Sequence, residues 1–183
     1  MFEPIQKDIT YFFGGCEGCV ECCKYPFIPL VIDDFKDVYK LFPILFTYIN
    51  NELRAVILLG DKDGCRYLSS SGCAIYESRP PSCRLYPITP FFDDIFIDTS
   101  CPAVGKVGEI IAQNGTVFST YRHERLNNFS QKLRDSQNFL SAISGMLIPI
   151  GERKGFMMFA VDTDMDGEYG YLLRLHAESL KFL

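Results

Sequence analysis

Four cysteines stand within eight residues in the stretch GGCEGCVECCK, residues 14 to 24: Cys16, Cys19, Cys22 and Cys23, spaced C-x2-C-x2-C-C. Four more follow at Cys65, Cys73, Cys83 and Cys101. Thiolate sulfur is a soft ligand suited to zinc and to iron–sulfur centres. Two residues between thiols let a tight turn aim both sulfurs at one ion, and Gly14, Gly15 and Gly18 supply the positive φ that such turns need. The spacing therefore points to a metal, with all eight cysteines as candidate ligands.

Zinc sites with four thiolates are commonly built from two C-x2-C knuckles, and only the first half of this set has knuckle spacing. Three thiols at C-x2-C-x2-C instead match the start of an iron–sulfur run whose fourth ligand comes from elsewhere and can be followed by proline, as Cys101 is by Pro102. Cys23 departs from that run by abutting Cys22. Adjacent side chains diverge, so these two are expected to serve different sites or to support one another's site. The expectation is an iron–sulfur cluster, [4Fe-4S], with zinc as the alternative. Cys16, Cys19 and Cys22 would be joined by one distal thiol, and Cys23 by the remaining three. Arg66, Arg79 and Arg84 lie close to the distal cysteines in sequence and are candidates to offset the negative charge of four thiolates. The plainer reading of each is a solvated surface arginine.

Whether the cysteines are instead disulfides depends on what else could stabilise the chain. At 183 residues and 48% hydrophobic, the sequence can bury a core of ordinary size without staples. The start, MFEPIQKDIT, has neither a basic segment nor a continuous apolar one, and no run approaches the length of a membrane span. The expectation is a cytoplasmic protein with reduced thiols and no membrane partner. A formal charge of −5 argues against a nucleic-acid partner, which a basic surface would serve.

The elements that must position the cysteines are legible in part. Aromatic residues recur beside the thiols, as Tyr11, Phe12, Phe13, Tyr25, Phe27, Tyr67, Tyr76 and Tyr86, and read either as a water-excluding jacket or as ordinary core. Asp33 is a candidate N-cap for a short helix over 33 to 41, broken by Pro43. Residues 44 to 49 form a further short element, and 54 to 59, RAVILL, a buried strand. Turn formers at Asp63, Gly64, Ser71 and Gly72 place Cys65 and Cys73 on loops, while Pro80 and Pro81 stiffen the approach to Cys83.

Beyond Cys101, Pro102 fits the first position of a helix running to Gln113 and closed by Asn114-Gly115, with Thr116 capping a longer one. Within that longer helix Leu126, Phe129, Leu133, Ser136, Leu140, Ile143 and Leu147 recur at steps of three and four, forming one apolar face. This face packs in the core or takes an unidentified protein partner. His123 and His176, far from any cysteine in sequence, read as surface histidines. The tail reads as a strand, a polar hairpin loop and a second strand or helix. Its D-x-D-x-D-G run at Asp162, Asp164, Asp166 and Gly167 begins like a calcium loop, but Leu173 stands where a bidentate Glu is required. GKVG, residues 105 to 108, is too short for a phosphate loop.

Together, C-x2-C-x2-C-C, the segment CAIYESRPPSCRLYP and the closing CPAVG resemble the CxxCxxCC family of zinc- or iron-chelating cysteine clusters, also called the YkgJ type. All eight cysteines fall where that family's pattern has them, so the resemblance covers the first three-fifths of the chain. It implies metal binding through the cysteines, as zinc or as iron–sulfur, and a similar cluster occurs in flagellin lysine N-methylases. No particular reaction follows from it.

The fold expected is α+β, a single domain with an irregular, cysteine-rich, metal-centred N-terminal half, short strands and a long amphipathic helix in the C-terminal half. Residues 1 to 106 would form the cysteine-cluster region. Residues 107 to 183 would supply the helical segment and hairpin-like tail packed onto it. Three functions fit. The first is an iron–sulfur protein for electron transfer or for assisting a modifying enzyme; the second is a zinc-stapled interaction module without catalysis. The third is a thiol-disulfide oxidoreductase using Cys16 and Cys19, which needs an exposed thiol of low pKa.

Overall fold

The structure, a computed structural model, describes residues 2–15, 19–60, 64–91, 94–105, 107–117, 126 and 128–183. The fold is α+β, and every strand pairing among the described residues is antiparallel. Two compact units are interleaved in sequence: Met1–Cys23 with Tyr67–Ser130, and Lys24–Arg66 with Gln131–Leu183.

The chain opens in the first unit with β1 (Phe2–Pro4) and β2 (Tyr11–Phe13), then contributes β3 (Phe27–Leu30), α1 (Phe35–Val38), β4 (Ile44–Ile49) and β5 (Glu52–Leu58) to the second. It returns to the first with β6 (Leu68–Ser69), β7 (Gly72–Cys73), α2 (Pro81–Leu85), β8 (Ile88–Phe91), β9 (Asp94–Asp98), β10 (Val104–Gly105), β11 (Glu109–Gln113) and β12 (Thr116–Val117). The remaining elements are α3 (Phe129–Ile143), β13 (Leu147–Arg153), β14 (Phe156–Val161) and α4 (Gly167–Ser179).

The first unit holds a three-stranded sheet, β1-β9-β8, a four-stranded sheet, β10-β2-β11-β12, and the small β6-β7 ladder. Tyr11 and Phe13 alternate with the less buried Phe12, so β2 turns one face to the core. They meet Leu85, Ile88, Ile97, Ile111, Ala112, Val117 and the buried Cys101 in one apolar cluster. The register of β11 against β2 shifts between Ile110 and Ala112, and this irregularity accompanies the burial of the successive residues Ile111 and Ala112.

The helix expected from Pro102 to Gln113 is not formed: β10 and β11 occupy that stretch. Asn114 and Gly115, both at positive φ, 55° and 76°, make the two-residue hairpin between Gln113 and Thr116 rather than a helix end. Both central residues of a type I′ turn need positive φ, and Asn-Gly is the pair that tolerates it. Thr116 accordingly lies in β12. His123 and most of the segment from 118 to 127 lie outside the described residues.

The second unit is a five-stranded sheet, β13-β14-β4-β5-β3, with α1, α3 and α4. β4 and β5 pair from Ile44↔Ile57 to Ile49↔Glu52 around Asn50 and Asn51, again two residues at positive φ. The striped helix is α3, with Ser136, Phe139, Leu140 and Ile143 buried. Phe139 packs edge-on against Phe35 and Tyr169 and also meets Phe46 of β4. Leu126 precedes this helix and Leu147 begins β13, so the observed helix is shorter than the stripe.

Two other local expectations change. Residues 32 to 34 form a 3-10 turn leading into the one-turn α1, and the backbone at Asp34, not Asp33, occupies its N-cap without a side-chain capping bond. The tail hairpin is β13-β14, turning at Lys154-Gly155 with φ of 48° and 84°. The aspartate run is instead the strand-to-helix connection between β14 and α4, with Asp166 at the helix N-cap. Asp162, Asp164 and Asp166 are exposed there.

His176 is fully buried rather than at the surface. Its Nδ1 stands 2.7 Å from the Ile44 carbonyl and its Nε2 accepts the Val161 N–H at 3.1 Å. The N–H of Ile44 donates to Ser179 Oγ at 2.8 Å. Thus α4 satisfies both backbone groups of Ile44, at the end of β4 where β14 does not pair. With one ring nitrogen accepting, the other carries the proton and donates to Ile44, so burial of this neutral ring holds the pKa below the usual histidine value.

Candidate metal centre

The placement of the cysteine loop begins with backbone pairing. β2 pairs with β10 at Phe13↔Val104 and Phe12↔Gly105, and the Gly14 N–H donates to the Ala103 carbonyl at 2.8 Å. The segment entering the cysteine loop therefore runs beside the segment leaving Cys101. Gly108, at φ +126°, backs the same place: an added Cβ would overlap the Phe13 carbonyl and stand 2.8 Å from the Gly14 nitrogen. The glycine of GKVG thus serves close chain approach.

Within the loop, Cys19, Cys22 and Cys23 are partly exposed, and Cys16 lies outside the described residues. The Cys23 N–H donates to the Val20 carbonyl, and a 3-10 turn covers Glu21–Lys24. At three residues per turn, Cys22 and Cys23 leave its axis about 120° apart, so they present sulfur in different directions.

Cys101 is held by a turn that starts at Asp98. Asp98 is fully buried, and its Oδ1 accepts the Ser100 N–H at 3.0 Å and the Ser100 hydroxyl at 2.6 Å. Its Oδ2 accepts the Tyr86 hydroxyl at 2.8 Å. The Cys101 N–H then donates to the Asp98 carbonyl, and Val104 to the Cys101 carbonyl. Burial pushes the Cys101 thiol above the usual cysteine range, hydrogen bonds from Ala103, Tyr86 and Val104 oppose that rise, and the charge of Cys19 adds to it. Two thiols from opposite ends of the cysteine set are therefore within electrostatic reach of each other. Like charges so placed repel, and a cation between thiolates reverses the sign of that interaction.

The other distal cysteines occupy distinct local settings. Cys73 sits on β7, paired with Leu68, not on a loop as expected; Cys65 follows Gly64 in a loop. Cys83 lies in the one-turn α2, whose Pro80 and Pro81 occupy the N-cap and first helical position. Asp98 N donates to the Pro87 carbonyl and Ile88 pairs with Ile97, so the turn after α2 and the turn before Cys101 lie at one end of the β8-β9 hairpin.

The arginines are engaged elsewhere or face solvent. Arg79 Nε donates to the Tyr76 carbonyl at 2.8 Å, and its guanidinium lies 3.6 Å from the centroid of the Tyr76 ring. Arg66 and Arg84 have exposed side chains. Among the described residues no three cysteine, histidine, aspartate or glutamate side chains converge as a ready-made cage, either at the thiols or in the aspartate run. Cysteine ligand sets commonly close around the metal they bind, and the donor chemistry here, the thiols of Cys19, Cys22, Cys23 and Cys101, suits zinc or iron.

Asp98 and the polar role of Tyr86 escaped the sequence reading, which took Tyr86 as an apolar neighbour. The signal present is Asp-Thr-Ser directly before Cys101, a pattern in which an aspartate bonds the backbone two residues on.

A family model described as "Putative zinc- or iron-chelating domain", the CxxCxxCC family, matches residues 15–109, just over half of the 183-residue chain. No curated protein and no solved structure matches the chain. The matched span contains Cys16 and every other cysteine.

Proposed function

The chain belongs to this CxxCxxCC family of zinc- or iron-chelating domains, and from that premise we propose that its cysteines hold an iron–sulfur cluster, [4Fe-4S], used in electron transfer or in assisting a modifying enzyme. The observation that carries the reading is the backbone pairing that brings the start of the cysteine loop beside the segment leaving Cys101, with the Gly14 N–H donating to the Ala103 carbonyl at 2.8 Å. It brings the C-x2-C-x2-C run toward a distant cysteine followed by proline, the combination that iron–sulfur sites use. Cys16 and Cys22 complete the proposed ligand set on spacing. Bound there, a cluster supplies one-electron redox chemistry. The chain's own contribution is to bury Cys101, to hold it in a turn closed by its backbone bonds to Asp98 and Val104, and to keep water from that side with Tyr11, Phe13 and Ile111. Zinc is the second reading, favoured by the C-x2-C spacing of Cys16 and Cys19, and would make the chain a structural module.

The test is whether Cys19 and Cys101 serve one metal. Cys19→Ser and Cys101→Ser should each lower the metal content of anaerobically purified protein by the same number of equivalents, and the double variant should lose no more than either single one. Additive losses would assign the two thiols to separate sites.

A further inference from the structure

We infer that Tyr86 and Asp98 are positioning residues for the metal centre, a hydrogen-bonded brace that sets Cys101 and ties it to the helical turn carrying Cys83. The inference rests on the reading of Cys101 as a ligand and adds residues that neither the cysteine pattern nor the family description assigns.

Asp98 is fully buried, and an isolated carboxylate in such a place is costly unless its oxygens are satisfied. Here Oδ1 and Oδ2 take three hydrogen bonds, from the Ser100 backbone, the Ser100 hydroxyl and the Tyr86 hydroxyl. The carboxylate is therefore committed inward and fixes the turn 98 to 101. Tyr86 is the residue that closes α2, three positions after Cys83, and its N–H donates to the Ser82 carbonyl. Its ring packs against the apolar cluster that contains Cys101, and its hydroxyl donates to Asp98 Oδ2 at 2.8 Å. Tyr86 thus joins the turn that orients Cys101, through its hydroxyl, to the helix bearing Cys83, through its own backbone. Backbone bonds also close this turn, Asp98 N–H donating to the Pro87 carbonyl and Cys101 N–H to the Asp98 carbonyl. What the side chains add is a fixed placement of the turn that carries Cys101, and groups that orient metal ligands in this way are worth about 10- to 100-fold in metal affinity.

The experiment compares Tyr86→Phe, Ser100→Ala, Cys101→Ser and the double variant Tyr86→Phe/Cys101→Ser as anaerobically purified full-length protein. The reading is the metal content and the chelator concentration that removes half of it. Tyr86→Phe keeps the ring in the core, so it should retain full metal content yet release it at about 10- to 100-fold lower chelator. Ser100→Ala, which removes one hydroxyl from the opposite oxygen of Asp98, should shift release in the same direction by less. The double variant should match Cys101→Ser alone, because Tyr86 acts through the placement of that ligand; a merely structural tyrosine would add its own loss. Tyr86→Phe indistinguishable from wild type, while Cys101→Ser loses metal, would overturn the brace and leave the site reading standing. Cys101→Ser with undiminished metal would overturn the site reading, and the brace with it.

Discussion

His176 shows how a single side chain can be structural in a way that its sequence neighbours conceal. It bridges Ile44, 132 positions away, and Val161, on two strands of one sheet. Replacing it with Leu fills the space but strands two buried backbone groups, each worth about 1–3 kcal/mol. We expect His176→Leu to lower the unfolding free energy by more than about 2 kcal/mol in urea titration at pH 7.5. The wild type should also lose stability in acid. Because the folded state lowers this pKa, the histidine's contribution is complete above the unfolded value of about 6.5 and is lost as pH falls through the folded value. Urea midpoints measured from pH 7.5 to 5 should therefore fall in wild type and fall less in the variant. The eight cysteines were legible because their spacing is local. His176 and Asp98 were not, because their roles are fixed by partners that the fold brings to them, and a lone His in a polar tail carries no trace of the Ile44 carbonyl.

Three hairpins built on paired positive-φ residues, Asn50-Asn51, Asn114-Gly115 and Lys154-Gly155, set the register of the strands around both cores. The Asn114-Gly115 signal was visible in the sequence but was assigned to a helix end. The same dipeptide ends helices and turns hairpins, and only the β-branched residues around it, Ile110, Ile111, Thr116 and Val117, separate the two. The α3 stripe was legible because its period is intrinsic to the helix. Its limits were not, since Leu147 continues the apolar spacing while pairing in β13. Lys154 is a β-turn residue at φ 48° with no special tolerance for that conformation. Lys154→Asn should stabilise the protein by about 0.5–1 kcal/mol in the same titration, and a neutral or destabilising result would show that the turn is not strained. Gly108→Ala should do the reverse. Its Cβ would meet the Phe13 and Gly14 backbone, so amides of β2 and β11 should lose protection from hydrogen exchange.

At the scale of the whole chain, Cys101 is part of the core of the first unit, whereas among the described residues the buried core of the second contains no cysteine. Most residues of β4 and β5 are fully buried, whereas Cys22 and Cys23 sit on a 3-10 turn and, like Cys19, are partly exposed. Metal removal should therefore open amides near 19 to 24 and 101 to 105 to hydrogen exchange while those of β4 and β5 stay protected. Uniform protection would mean that the metal does not order the loop. No helix among the described residues is long and apolar enough to cross a membrane. The most direct measurement is the metal itself, in protein expressed and purified without oxygen so that no cluster is lost and replaced. We predict a brown protein containing iron and acid-labile sulfide, both lost together in Cys101→Ser. Colourless protein holding zinc and no sulfide under those conditions would contradict the iron–sulfur account.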